Sequence, residues 1–156
     1  YNIMSNTQWG NITWNFLHTF AIQINEKKFH KIRNIAIDLV VLICNNLPCP
    51  ICRTDATNII NKAYLNNIQT KTHFVEFICQ LHNIVNIKLE KTSVNRDEFS
   101  DKYKKMNLIN IINEFIRIYS VSYHNLRLLN NDYKQQQFII TFKSKLNEIL
   151  SKLQNN

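Results

Sequence analysis

Cys49 and Cys52, within Leu47-Pro48-Cys49-Pro50-Ile51-Cys52, are the residues whose type and spacing point most directly to chemistry. Two thiols separated by two residues can exchange as a disulfide or share a metal ion. Pro48 restricts Leu47 to extended backbone and Pro50 suits the first turn of a helix, so Cys49 stands at or just before a helix start. Unpaired backbone N–H groups and the helix dipole favour a thiolate there, which is the reactive form. A thioredoxin-like site would need a strand of a βαβ unit ahead of the motif, and nothing before Cys49 reads as one. Further along, Cys79 and His82 would complete a set of three thiolates and one imidazole with the pair, the make-up of a structural zinc site. Against zinc, both lie inside a long apolar stripe with no glycine or turn signal beside either half. Spacing alone leaves the redox and zinc readings open.

The elements that position these residues read as helices. A first helix is expected from about Thr7, as its cap, to Asn25, with Trp14, Leu17, His18 and Ala21 on one face. A second, roughly Lys28 to Asn46, repeats the pattern through Ile32, Ile35, Ala36, Leu39, Val40 and Ile43 and stops before Pro48. The third opens at Cys49 and runs to about Asn66. The fourth, about Lys71 to Leu89, carries Phe74, Phe77, Ile78, Leu81, Val85 and Leu89 as its stripe. Thr92 to Lys105 is polar and reads as a connection. Leu108 to Tyr119 and Phe138 to Leu153 then resume helical periodicity without a cysteine, either as a cover over the first four helices or as a separate interaction surface. No internal repeat emerges.

The chain has 156 residues, 45% of them apolar, with one Gly and two Pro. That length suits one domain, or one domain with an appendage, and buries about 70% of the unfolded surface. The scarcity of chain breakers favours an all-α fold. Its net charge of +8 comes from 19 Lys and Arg scattered singly or in pairs. Such scatter describes a solvated surface rather than a nucleic-acid interface. No apolar stretch reaches the roughly 18 residues of a membrane span, because Asp38 and then Asn45-Asn46 interrupt the best candidate, Ile35 to Ile43. Tyr1 to Gln8 resemble no signal peptide, and the lack of an initiating Met leaves room for an upstream segment. Four Cys without a secretory mark suit redox or metal work better than a disulfide scaffold.

Three ordered motifs bear on the choice. They are Trp9-Gly10-Asn11-Ile12-Thr13-Trp14-Asn15-Phe16-Leu17-His18-Thr19-Phe20-Ala21, the Cys49/Cys52 pair after a second helix, and His82-Asn83-Ile84-Val85-Asn86-Ile87-Lys88-Leu89-Glu90-Lys91. In this order and spacing, over residues 8 to about 104, the chain resembles the Erv/ALR family of FAD-linked sulfhydryl oxidases. The resemblance implies a four-helix bundle plus a short fifth helix that binds FAD, here residues 1–104, followed by a helical C-terminal extension, residues 105–156. It implies a thiol oxidase in which Cys49 exchanges with substrate and Cys52, one turn deeper, faces the flavin, with electrons passing to O2 to give H2O2 and no catalytic metal. The cofactor residues it implies are Gly10, Trp14, His18, Cys52, His82, Asn83, Val85, Asn86, Leu89, Lys91 and Tyr103. Lys91 is preferred over Lys88 for the pyrophosphate or ribose. A structural zinc module built on Cys49, Cys52, Cys79 and His82, acting as a scaffold, is the alternative.

The family's partners carry over as expectations: dithiol substrate proteins or a thioredoxin-like carrier, O2, and a homodimer whose surface would include outer apolar positions such as Phe16 and Ile35. The departures are specific. Gln23-Ile24 replaces an aromatic pair, Tyr103 stands where the family has Trp, and Arg96 aligns with the cysteine that would pair with Cys79. Cys79 is therefore expected to be a buried free thiol, with pairing to the additional Cys44 as the alternative. No second CxxC or CxxxC supplies a shuttle, so substrate reaches Cys49 directly or the shuttle lies on an absent segment. The extension, the missing shuttle and the Asn/Ile-rich composition point to a viral enzyme of the host cytoplasm or virion, with the mitochondrial intermembrane space as the alternative.

Overall fold

The structure, a computed structural model, describes residues 3–124 and 129–155, with side-chain surroundings for residues 8–121 and 133–155. It contains α1 (Ile3–Gln23), α2 (Phe29–Asn45), α3 (Pro50–Lys62), α4 (Lys71–Lys88), α5 (Arg96–Lys104), α6 (Leu108–His124) and α7 (Leu129–Gln154), with short 3₁₀ turns at Glu26–Lys28 and Leu65–Asn67. Among the described residues there is no strand, and no helix is long and apolar enough to cross a membrane.

Burial explains the arrangement. Residues 16–22 of α1 are all buried, and a helix buried all round belongs at the centre of its domain. It packs against α4, α5 and α6. The stripe on α2 is buried as its periodicity predicts, from Ile32 to Ile43. α4 is capped by Thr70, whose hydroxyl accepts from His73 N. The first helix starts at Ile3, so Thr7 lies within it and does not cap it; the Thr7 side chain is outside the described surroundings.

Two further expectations are corrected. The polar stretch 92–105 contains α5, capped by Asn95, with Asp97 and Glu98 in its first turn and Lys102 and Lys104 in its last. Those charges oppose the helix dipole at both ends, which supports a helix of low apolar content. The second correction concerns Phe16 and Ile35, expected on a dimer surface. Phe16 is fully buried, with ring centroids 5.4 Å from Phe115 on α6 and 5.3 Å from Phe142 on α7. Ile35 is also buried. It shares a stripe of α2 with Lys31 and Asp38, which bond to Asn155 O and pair with Lys145 respectively. The extension covers both helices, and its buried residues join those of the first five helices in one core.

Candidate functional site

Pro48 and Pro50 place Cys49 in extended backbone as the N-cap of α3, where its Sγ accepts from Cys52 N at 3.3 Å. Cys49 and Cys52 form a disulfide with Cα atoms 5.2 Å apart. Both are part-exposed, and Ile51 between them is largely open to solvent. The disulfide is therefore accessible, and Cys49 Sγ points at a backbone N–H that favours its thiolate on reduction.

Behind the disulfide lies a cavity of about 1000 Å³ whose walls come from α1, the end of α2, α3, α4, the loop after α4, and α5. Cys52 lines it and Cys49 does not. Also in its lining, the Trp14 and His82 rings stack face to face, 3.9 Å apart and 6° from parallel. His18 Nε2 and His82 Nδ1 are hydrogen-bonded at 2.9 Å. Phe99 and Tyr103, one turn apart on α5 and 5.3 Å from each other, stack against His18 at 4.8 and 4.9 Å with nearly parallel planes. Burial, then the charges of His82 and Lys102, pushes His18 down to about 3. Burial, then Lys91 and Lys102, pushes His82 down to about 4. Both imidazoles are thus neutral at pH 7, so one ring donates the shared proton and the other accepts it.

The loop closing this cavity is held by two asparagines. α4 ends in a Schellman turn: Lys91 N donates to Asn86 O at 2.8 Å and Glu90 N to Ile87 O at 3.1 Å, with Glu90 in the left-handed region at φ 54°. The turn reverses the chain over the helix it has just left. There Asn83 Oδ1 accepts from Val94 N at 2.7 Å, and Asn86 Nδ2 donates to Thr92 O at 3.1 Å. Asn86 is 8% exposed, and this bond satisfies a polar group that burial would otherwise penalise.

Of the residues read from sequence, Gly10, Trp14, Cys52, His82, Val85, Asn86, Leu89, Lys91 and Tyr103 line the cavity. His18 sits behind its wall and Asn83 braces its loop. Among the described residues, a Cβ on Gly10 would meet nothing within 4 Å. Lys88 pairs with Asp55 at 2.8 Å on the rim. Sequence reasoning missed Phe99 and Lys102. Their signal was the Phe99/Tyr103 spacing, which matches one helical face; Lys102 Nζ lies 5.0 Å from the Tyr103 ring centroid. A second cavity of about 1010 Å³ between α3 and α4 contains neither Cys49 nor Cys52.

The other two cysteines are free and buried. Burial pushes the Cys44 thiol up to about 12. It also pushes Cys79 up, while the charge of Arg96 pulls it down and that of Glu76 adds to the rise. The four-ligand zinc set is not assembled: Cys49 and Cys52 bond each other, and among the described residues no three His, Cys, Asp or Glu side chains are grouped to hold a metal.

Residues 11–104 match the family model described as the Erv1 / Alr family. Among curated proteins, the chain is 28% identical over 97 residues to the FAD-linked sulfhydryl oxidase of African swine fever virus, covering 62% of this chain and 81% of that protein. It is 30% identical over 82 residues to FAD-linked sulfhydryl oxidase ERV1 of Oryza sativa subsp. japonica, covering 53% of this chain and 42% of that one. The ERV1 of Arabidopsis thaliana is 31% identical over 84 residues, with the same coverage. The match thus spans less than half the length of these plant relatives. No solved structure matches significantly.

Proposed function

This chain belongs to the Erv1 / Alr family, whose match takes in more than half of it, and on that premise we propose that it is an FAD-dependent thiol oxidase forming disulfides in dithiol proteins. The observation that carries this reading is the shared cavity. An accessible disulfide contributes one of its two residues, Cys52, to a chamber that the stacked Trp14 and His82 also line.

The residues present fit FAD. The volume of about 1000 Å³ lies at the upper end of the about 300–1,000 Å³ range of ligand pockets, as a dinucleotide requires. Trp14, His82, Phe99 and Tyr103 offer flat surfaces to aromatic rings, and Lys91 and Lys102 supply positive charge for a pyrophosphate. Gly10, Val85, Leu89 and Asn86 complete the binding surface, with His18 and Asn83 supporting it. Two neutral imidazoles bring no net charge beside the rings, and the charged side chains of the lining are Lys88, Lys91 and Lys102 against Asp55 and Glu98.

A substrate thiolate attacks Cys49 Sγ, the Cys49–Cys52 bond breaks, and Cys52 leaves as a thiolate. The second substrate thiolate then attacks the substrate sulfur of this mixed disulfide and expels Cys49, whose thiolate the Cys52 N–H and the N-terminus of α3 stabilise. The substrate dithiol has become a disulfide, and two electrons reside on the Cys49/Cys52 pair, with its protons taken up there or by solvent. When bound, FAD would supply the two-electron oxidant for restoring the pair, with dioxygen as the final acceptor, reduced to hydrogen peroxide. The placement of Cys52 at the cavity wall, with Cys49 outside it, supports this division of labour.

Residues 1–104 form the flavin-binding unit and 105–156 its extension. The substrates are dithiol proteins or a thioredoxin-like carrier reaching Cys49 directly. A homodimer would have to use a surface other than the α1–α2 face that the extension buries. The coverage of the African swine fever virus relative supports a viral setting, in the cytoplasm of the host or in the virion.

The test is stoichiometric. The purified chain should carry about one flavin and, given a dithiol in air, consume one O2 and release one H2O2 per disulfide formed. Colourless protein that consumes no O2 even after FAD is added contradicts the reading.

A further inference from the structure

We infer that Tyr119, in the extension, is a positioning residue for the cofactor cavity, so that the extension is a working part of the flavin site; this rests on the FAD reading above. Thr13 lies on the stretch of α1 that forms the cavity wall with Trp9, Gly10 and Trp14. Its hydroxyl donates to Trp9 O at 2.6 Å and lies 2.7 Å from Tyr119 Oη. A hydroxyl has one proton, and the Trp9 carbonyl can only accept. Tyr119 is therefore the donor and Thr13 Oγ1 the acceptor.

The phenol is itself fixed. Tyr119 is fully buried and stacked on Phe115 at 4.1 Å. The buried Gln135 of α7 donates to Tyr119 O at 3.1 Å and to Ser120 O at 2.6 Å. A run of contacts thus leads from α7 through the backbone and phenol of Tyr119 to Thr13, and from Thr13 to the carbonyl of Trp9 at the cavity wall. A threonine that bonds back to the carbonyl one turn earlier bends its helix slightly. Filling its acceptor site from α6 holds that rotamer, and with it the curvature of the Trp9–Trp14 wall. Among the described residues, nothing lies within 4 Å of a Cβ placed on Gly10. Its shape is set from behind, by the extension. A second tie acts at the other end of α1, where Gln23 Nε2 donates to Tyr103 O at 3.0 Å and Met106 O at 2.7 Å, fixing the passage from α5 to α6.

The experiment titrates FAD into apoprotein by quenching of flavin fluorescence and records a thermal melt for each variant. Tyr119→Phe and Thr13→Val are expected to raise the FAD Kd each by about three- to tenfold, the scale of one neutral hydrogen bond. The double variant should be no worse than either single one, and Thr13→Ser should restore the wild-type Kd. Ile149→Val, at a fully buried position farther along α7, should lower Tm and leave Kd unchanged. A wild-type Kd in both Tyr119→Phe and Thr13→Val overturns the inference, as does a Kd that tracks Tm across all variants, Ile149→Val included. Should Tyr119→Phe fail to fold, Thr13→Val against Thr13→Ser decides the matter. A wild-type chain that binds no FAD refutes the functional reading itself, a result distinct from any of these.

Discussion

His18 Nε2 and His82 Nδ1 lie 2.9 Å apart, bringing α1 and α4 together through two imidazoles that burial keeps neutral. Both folded-state values, about 3 and about 4, lie below the unfolded value of 6.5. Above pH 6.5 neither state binds these protons and the stability they permit is fully present. As pH falls below 6.5 the unfolded chain takes up protons first, so stability drops until the folded pair itself protonates near pH 4 to 3. Apoprotein melts between pH 7 and 4 should show this decline, and His82→Gln should make it shallower. An unchanged slope in that variant would count against the neutral pair.

Glu90 occupies a left-handed position, φ 54°, that glycine adopts without strain. Glu90→Gly should stabilise the chain by about 1 kcal/mol, read as a higher denaturation midpoint. A loss of stability would mean that the Glu90 side chain has contacts outweighing its backbone strain.

Asn86 holds Thr92 O against α4 from a buried position. Asn86→Leu removes the donor and leaves that carbonyl without it, at a cost of about 1–3 kcal/mol. The freed loop should also bind FAD more weakly. Asn83→Ala should act in the same direction through Val94, and equilibrium titration with chemical denaturation checks both.

Phe142 packs on Phe16, Phe115 and Phe138. Phe142→Ala should cost about 3–5 kcal/mol, as for other large-to-small core changes. A loss under 1 kcal/mol in urea melts would show that the extension is only loosely applied to α1.

Legibility in the sequence followed the strength of each local signal. α2 and α4 have long apolar stripes at helical spacing, and α3 is announced by Pro48 and Pro50, so their positions and the setting of Cys49 were readable. The cavity was readable because its residues cluster in two motifs, around Trp14 and around His82. α5 was missed by periodicity: its nine residues bury only Tyr103 fully, and caps and charges carry much of its stability. Phe99 and Lys102 were lost with it. The fate of Phe16 was unreadable for a different reason. An apolar residue on an outer helix face looks the same whether a second chain or a later helix covers it, and only the packing of Phe115 and Phe142 decides.

In the proposed electron path Cys52 stands between Cys49 and the flavin, an order that anaerobic reduction of bound flavin by dithiothreitol reads out. Wild-type protein should bleach at the flavin band. Cys52→Ser should retain its flavin and stay yellow, and Cys49→Ser should lose turnover with flavin bound. Bleaching of Cys52→Ser at the wild-type rate would contradict the account.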